Sequence, residues 1–436
     1  MAVVYLGARF EMSDIPQPWG FGSGGESIDA TGQDVYQWAH LGAAQTIALI
    51  GNLSGEFFEP GEVSGRVKKI LWDASLLAVP EIEVTLDMQM STGVIDLVIN
   101  GSLKSFFAEV LKGNDTIYGQ NFDEELLGHA GNDILIGGDG ADRLDGGLGI
   151  DTASYANAKA AVIVDWFGAS SGDAAGDVFI SINNLTGSRF NDRLYADDNA
   201  NRVTGGLGND ILVGRFGADT LDGSTGIDTA SYDASGGDVR VSLLNPAINT
   251  FEAKGDKYIS IENLAGGGFD DHLTGNNAAN RIEGNNFPNS VTVDHDKLFG
   301  LGGNDTLFGY RGNDILTGGL GKDTQTGGLG RDIFDFNSIA ESVVGANRDF
   351  ITDFTRGTNV TGDDIDLSTI DARTNVVGNQ NFSWRGTLAF TGVSGQLRFT
   401  DQGTTCLVQG DVNGDGKADF EISVKVATLG VGDFIL

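Results

Sequence analysis

Aspartate returns every nine residues over long stretches of this chain, two places before an apolar residue and just after a group of glycines. The unit reads GGxGxDxLx, with clear copies GGDGADRLD from Gly137, GGLGNDILV from Gly205, GYRGNDILT from Gly309 and GGLGRDIFD from Gly327. Its sixth place holds Asp115, Asp133, Asp142 and Asp151 in a first tract, and Asp192, Asp210, Asp219 and Asp228 in a second. A third tract holds Asp271, Asp296, Asp305, Asp314, Asp323 and Asp332. A short carboxylate brought back at a fixed interval, beside turns whose carbonyls are exposed, offers oxygen ligands and nothing else. That donor set suits a cation taking roughly six to eight oxygens, which points to Ca2+, since Mg2+ demands a stricter octahedron. Zinc does not fit these positions, because the chain has one Cys, Cys406, and four scattered His.

The elements that must position these carboxylates follow from the rest of the unit. The eighth place is apolar beside most of them: Ile117, Leu135, Leu144, Leu194, Leu212, Leu221, Leu273, Leu298, Leu307, Leu316 and Phe334. A very short strand fits around it, and the glycines supply positive-φ turns that a Cβ makes costly. One nonapeptide is then a turn and a strand. Two make one coil of a flattened parallel spiral, whose apolar residues meet in a thin core. The expected fold class is all-β, a parallel β-roll or β-solenoid with flanking β-rich N- and C-terminal regions. Residues eighteen apart become stacked neighbours, about one strand spacing or ~4.8 Å apart. Two carboxylates at that range repel by about 1 kcal/mol even in water. The chain has too few cations of its own to relieve this: 27 Lys and Arg stand against 61 acids, of which 46 are Asp.

The nonapeptides resemble those of the repeats-in-toxin (RTX) family of secreted calcium-binding proteins. The resemblance implies ions between consecutive turns, held by sixth-place carboxylates and by turn carbonyls at Gly137, Gly138, Gly140, Gly205, Gly206, Gly208, Gly318, Gly319, Gly321, Gly327, Gly328 and Gly330. It implies shared sites at Asp133 with Asp151, Asp210 with Asp228, Asp305 with Asp323, and Asp314 with Asp332. Several positions depart from the pattern. Asn201 and Asn280 replace Asp, Glu124 stands where Asp is expected, Gln325 occupies an apolar place, and Ala153 and Ala230 are small for theirs. Those coils are expected to bind weakly or not at all.

A duplication overlies the short repeat. GIDTASY at Gly149 recurs at Gly226, each copy followed by an alternating run (Ala161 to Asp165, Val239 to Leu243), then GDVFISINNL or GDKYISIENL, then FNDRL or FDDHL. The alternation predicts half-buried strands between the spirals. GNNFPNS from Gly284 breaks the phase and reads as a loop insertion. The organisation is therefore a β-rich N-terminal cap or domain over 1–110, repeat tracts at 111–155, 187–231 and 266–335, strand spacers at 156–186 and 232–265, and a C-terminal domain over 336–436. Within 1–110, strands are expected at Glu81 to Asp87 and Val94 to Asn100, and a short amphipathic helix at Ser102 to Leu111 is expected to cover the open end of the spiral.

From DIFDF through DFITDF, GDDIDLSTIDA, FTGVSGQLRF and DVNGDGKADFEISV to the closing DFIL, residues 332–436 resemble the C-terminal domain of serralysin-type secreted metalloproteases. There Asp411, Asn413, Asp415, Lys417 by its carbonyl, and Asp419 have the spacing of an EF-hand-like loop, but Ile422 stands where a bidentate Glu belongs, so a Gly-Asp hairpin turn competes as a reading. No HExxH, GxSxG, P-loop or Cys-His pair occurs, and an enzyme is not expected. The start of the chain lacks a basic region and a long apolar core, and no run of eighteen apolar residues offers a membrane span. Asp433, Phe434, Ile435 and Leu436 resemble the C-terminal signal of type I exporters of Gram-negative bacteria. The expectation is an extracellular protein that binds Ca2+, passes the type I secretion machinery, and serves a noncatalytic matrix, surface or adhesion role, with cell-surface polysaccharide or matrix as the class of partner and no nucleic acid. The competing reading is an accessory or divergent member of a secreted enzyme family, serralysin-like or alginate-epimerase-like.

Overall fold

Every eighth-place residue named above is sealed from solvent, and the strands are built around them. In the computed structural model Ile117, Leu126, Leu135, Leu144, Leu212, Leu273, Leu307, Leu316 and Phe334 are all 0% exposed. Ile117, Leu126, Leu135, Leu144, Leu273 and Phe334 are each the middle residue of a three-residue strand, so their neighbours at the seventh and ninth places face away from the core. The structure describes residues 112–119, 121–285, 293–357 and 362–436, together with backbone strands between positions 2 and 89. The expected strand at Val94 to Asn100 and the expected helix at Ser102 to Leu111 lie outside the described residues. No α-helix is present among those that are described.

Successive nonapeptides alternate between two sheets, and the pairing is parallel with a step of eighteen. Leu135 stands beside Ile117 in one sheet, while Leu144 stands beside Leu126 in the other. Two units are distinguished, Met1–Ala196 with Arg202–Gly208, and Asp197–Asn201 with Asn209–Leu436. In the first, Thr116–Tyr118, Ile134–Ile136, Thr152–Ser154, Asn184–Thr186 and Arg202–Leu207 form one run of parallel strands. Glu125–Leu127, Arg143–Asp145 and Val178–Ile180 form the facing run. Ala2–Tyr5 lies parallel to Thr116–Tyr118 and antiparallel to Glu83–Leu86.

The second unit carries two longer runs. One passes through Thr229–Ser231, Asn263–Ala265, Arg281–Glu283, Thr306–Arg311, Thr324–Leu329 and Asp349–Ile351 to Phe420–Val424. The other passes through Arg240–Ser242, His272–Thr274, Lys297–Gly302, Ile315–Leu320, Ile333–Asp335 and Asp364–Asp366 to Phe434–Ile435. An antiparallel hairpin, Cys406–Asp411 with Phe420–Val424, flanked by Gln396–Asp401, follows the coils.

The spacer strands differ from the expectation of a layer between spirals: they are coils of the roll itself. In the first unit Ile163–Asp165 opens a new run by pairing with Arg193–Tyr195, while Val178–Ile180 closes an old one. In the second unit Arg240–Ser242 opens a run and Lys257–Ile259 closes another beside Thr220–Thr225. The duplicated sequence is thus a duplicated switch, at which one sheet stops and its replacement starts. Period-two alternation reports only which face of a strand is buried, so it could not tell a coil from an intervening sheet.

Gln325 is the one polar residue at an eighth place in the second unit's long run, between Leu307 and Ile351. It is 0% exposed, and neither amide atom has a hydrogen-bond partner. A buried, unpaired amide costs about 1–3 kcal/mol. Gln325→Leu is expected to raise the melting temperature in saturating calcium, by an amount corresponding to about 1–3 kcal/mol; an unchanged or lower melting temperature would show that the amide is satisfied in solution.

Candidate metal centres

The sixth-place residues are joined coil to coil by a repeated hydrogen bond. The backbone N–H of Asp133 donates to Asp151 Oδ1 at 2.8 Å, that of Asp210 to Asp228 Oδ1 at 2.8 Å, and that of Asp305 to Asp323 Oδ1 at 2.7 Å. Asp115 donates in the same way to Asp133, Glu124 to Asp142, Asp296 to Asp314 and Asp314 to Asp332. Across the phase break at Gly284 the step becomes 25 residues, from Asp271 to Asp296 and from Asn280 to Asp305, and the ladder keeps its register.

One oxygen of each carboxylate is thereby used, and the other is not. Oδ2 has no hydrogen-bond partner at Asp133, Asp142, Asp151, Asp219, Asp228, Asp296, Asp305, Asp314, Asp323 and Asp332. All ten side chains are at most 1% exposed. The space around this oxygen is kept open by the first-place glycine five residues earlier. A Cβ on Gly300 would lie 2.3 Å from Asp305 Oδ2 and 2.4 Å from the carbonyl oxygen of Gly318, one coil on. At Gly309 the corresponding distances are 2.3 Å to Asp314 Oδ2 and 2.6 Å to the Gly327 carbonyl; at Gly128 both Asp133 Oδ2 and the Gly146 carbonyl lie at 2.5 Å. Gly137, Gly318 and Gly327 press against Asp142, Asp323 and Asp332 in the same way. The second and fourth places need glycine for their backbone: Gly319 and Gly321 sit at φ +92° and +147°.

A buried carboxylate oxygen with no donor, converging with a backbone carbonyl of the next coil, fits the oxygen-only chemistry of Ca2+. No three His, Cys, Asp or Glu side chains form a cluster among the described residues. At Asp133, Asp305 and Asp314 the open oxygen instead meets a turn carbonyl of the next coil, that of Gly146, Gly318 and Gly327. A bound ion would supply the positive charge that lets the column ionise; the chain's own residues hold the oxygens in place, one by an N–H and the rest by glycine-shaped turns.

The aspartates are not equivalent. At Asp192, Oδ1 accepts from Val162 N–H at 2.8 Å and Oδ2 accepts from the Ser188 N–H. At Asp271, Val239 N–H reaches Oδ1 at 2.8 Å and Gly267 N–H reaches Oδ2 at 2.7 Å. Both stand beside a strand that opens a run, and both differ from the ten aspartates above in having the second oxygen engaged. Asn280 meets its needs with its own amide, accepting from Asn276 N–H at 2.8 Å and donating to the Glu262 carbonyl at 2.6 Å. Sequence reasoning missed members of the ladder that lie out of phase. Asp323 N–H donates to Asp349 Oδ1 at 2.8 Å, Asp332 N–H to Asp363 Oδ1 at 3.0 Å, and Asp142 and Asp219 to Asp177 and Asp256. Asp349 also has a buried Oδ2 without a donor.

In the 411–419 loop, Asp411 accepts from Gly414 and Gly416 N–H at 2.6 and 2.9 Å. Asp419 Oδ2 accepts from Val412 and Asn413 N–H at 2.8 and 3.2 Å, and Asp415 Oδ1 from Lys417 N–H at 2.9 Å. The loop joins the two antiparallel strands of the hairpin.

Burial raises the carboxyl groups of the columns far above their ordinary value of 3.8, and neighbouring carboxylates add to it. Asp133, Asp305 and Asp314 are pushed up to about 7, Asp332 and Asp349 to about 8, and Asp296 to about 9.

A family model described as the RTX calcium-binding nonapeptide repeat matches residues 118–153, 180–212, 195–230, 260–291, 292–325 and 299–334. The chain therefore carries RTX repeats and binds Ca2+ at multiple repeat positions. No curated protein matches it. Among solved structures, the solution structure of the AlgE6R3 subunit of the Azotobacter vinelandii mannuronan C5-epimerase aligns at 26% identity, covering 38% of this chain and 78% of that one, with TM-score 0.22. The AlgE6R2 subunit of the same epimerase aligns at 22% identity, covering 39% and 89%, with TM-score 0.24.

Asp314 gives an oxygen to one coil, its N–H to another and its Oδ2 to a centre, so Asp314→Ala is expected to lower the number of bound ions and raise the calcium midpoint for folding. Gly300→Ala should also lower it without removing any charge, whereas Asn280→Ala should leave the ion number as it is. Isothermal titration with dialysis checks all three, and an unchanged ion number for Asp314→Ala would overturn the assignment.

Without calcium the weakened acidity of these carboxyl groups dictates a pH dependence. A carboxyl at about 7–9 when folded and 3.8 when unfolded takes up a proton on folding anywhere between those values, so the coils are least stable at high pH and gain stability as pH falls through that window. In chelator, β-type circular dichroism should therefore grow from about pH 9 to pH 5.5. In saturating calcium the same range should be nearly flat; a fall in β signal with acid in chelator would contradict this account.

Proposed function

We propose that this carrier of RTX repeats is a secreted protein that stays extended where free calcium is scarce and folds where it is abundant. Its role outside the cell is noncatalytic, in a matrix, at a surface or in adhesion. The observation that carries this reading is the set of buried Oδ2 atoms without donors, stacked coil on coil. Ionised and uncompensated, such a column opposes the fold; it becomes protonated only as pH falls through the window of about 7–9 set by its buried carboxyl groups. Each centre with calcium at tenfold over its dissociation constant adds about 1.4 kcal/mol to the folded state. Several together exceed what marginal stability leaves to spare.

The noncatalytic part rests on access. The carboxylates of the centres are at most 1% exposed, so no substrate reaches them as acid or base. Export by the one-step type I route has as its support the resemblance of Asp433 to Leu436 to that signal. In the folded protein Phe434–Ile435 pairs with Asp364–Asp366, and Asp433 Oδ2 lies 2.8 Å from Arg356 Nε. A transporter reading these residues would have to do so before folding.

Calcium added to the chelated protein at neutral pH is expected to raise β-type circular dichroism and shrink the radius of gyration in one cooperative step, at micromolar to millimolar concentrations. Small-angle scattering alongside the spectra checks this. Equal compactness in chelator and in calcium would overturn the proposal.

A further inference from the structure

Two aspartates of the ladder are finished by a tyrosine hydroxyl. Asp177 Oδ1 accepts from the Asp142 N–H at 2.8 Å, and Asp256 Oδ1 from the Asp219 N–H at 3.0 Å, so both stack in their columns like any sixth-place residue. Their second oxygens, however, are taken. Tyr155 OH donates to Asp177 Oδ2 at 2.6 Å, and Tyr232 OH donates to Asp256 Oδ2 at 2.8 Å. Both tyrosines come from the duplicated GIDTASY motif and are nearly sealed, at 3% and 1% exposed.

In the second copy the cap is itself supported. Tyr258 OH lies 2.5 Å from Tyr232 OH and accepts from Asn249 Nδ2 at 2.9 Å. Since Tyr232 spends its proton on Asp256, Tyr258 must donate to Tyr232. Every proton in this chain therefore points toward the carboxylate. Phe179 stands in the first copy where Tyr258 stands in the second, so there the cap is a single hydroxyl.

The glycine-shaped space is also missing. Five residues before Asp256 stands Phe251, and five before Asp177 stands Gly172, whose Cβ direction meets Ala161 and Val162 rather than Asp177. Both aspartates immediately precede the strands that close a sheet, Val178–Ile180 and Lys257–Ile259. Among the described residues no later strand follows in either sheet to supply a next-coil carbonyl. A cation placed there would lack the ligand that completes it elsewhere.

We propose that Tyr155 and Tyr232 are column terminators: at the last coil of a sheet a tyrosine hydroxyl stabilises the final carboxylate in place of calcium, and Asp177 and Asp256 hold no ion. This rests on the reading of the other Oδ2 atoms as calcium ligands. The duplicated switch is thereby a unit that ends one ion column while its neighbour begins another.

The test is the number of bound ions, by native mass spectrometry and equilibrium dialysis on the full chain, with the calcium midpoint for folding. Asp177→Asn with Asp256→Asn keeps the ladder acceptor, as Asn183 Oδ1 does for the Asp151 N–H at 2.9 Å, and should leave the ion number unchanged. Tyr155→Phe and Tyr232→Phe should each raise the midpoint: one lost hydrogen bond to a charged, desolvated group lowers the folding constant roughly tenfold, and because several ions bind in one cooperative step the midpoint rises by a fraction of that, under about threefold. That rise should largely vanish when the matching Asp is already Asn. Loss of one ion per Asn substitution, an unmoved midpoint in the Phe variants, or a rise undiminished in the Asn background would each overturn the proposal. Asp314→Ala in the same experiment reports on the calcium centres alone: an unchanged ion number there faults the underlying reading and not the caps.

Discussion

The structure depends on one hydrogen bond repeated from coil to coil, the sixth-place N–H donating to the carboxylate eighteen residues on. It fixes the register of the stack, because a slip by a single residue would take every carboxylate away from its donor. It also divides each side chain into two oxygens with different fates. Oδ1 is spent on the backbone, and Oδ2 is left facing the glycine turn and the next carbonyl. A residue with one side-chain oxygen could do only the first task. Asn does so at Asn183, which accepts from the Asp151 N–H, whereas Asn280 turns its oxygen to the Asn276 N–H and keeps only its own N–H in the ladder.

That division explains why three glycines recur for different reasons. The first is required by the oxygen that occupies the place of its missing Cβ, as at Gly300 and Gly309. The second and fourth are required by φ. Replacements are tolerated at the second place, where His129, Leu301 and Tyr310 adopt φ +68°, +78° and +75°, at a cost of about 1–2 kcal/mol each relative to ordinary backbone. At the fourth place a Cβ would also strike the previous coil: on Gly321 it would lie 1.5 Å from the Gly303 carbonyl. Strain can be offset elsewhere, but overlap with backbone cannot.

The roll was legible in the sequence because its two determinants are strictly periodic. Leu135 and Leu144, nine apart, had to fall on opposite sheets, and Asp133 and Asp151, eighteen apart, had to stack. What escaped was what the period does not carry. Asp177, Asp256, Asp349 and Asp363 join the same columns after steps of 35, 37, 26 and 31 residues, since a longer excursion on one side leaves the stacking geometry intact. Asp192 and Asp271 looked like any other sixth-place residue, yet the chain turning back at Ser188 and Gly267 engages their second oxygen. A fifth-place ladder was equally invisible as function: Asn132 Oδ1 accepts from Ile150 N–H at 3.0 Å, and Asn313 from Arg331 N–H at 2.8 Å. The frequent GND of the motif is read there as an outer hydrogen-bond rail with no part in ion binding.

Because every sixth-place rung points the same way, and every fifth-place rung the opposite way, the two faces of a stack are chemically unlike. At the sixth place the face toward the C-terminus presents N–H donors awaiting carboxylates, and the face toward the N-terminus presents the carboxylates. Such faces are mutually complementary, so one stack could add to another head to tail and continue without closing, as heterologous contacts and bare strand edges do. Strand Ala2–Tyr5 against Thr116–Tyr118 occupies the first of these edges, and the turn from parallel coils to the antiparallel hairpin at Cys406–Asp411 ends the repeat at the other. The segments flanking the repeats thus act as stoppers against fibre growth, and a fragment trimmed to its nonapeptides would be, in calcium, a monomer of a filament.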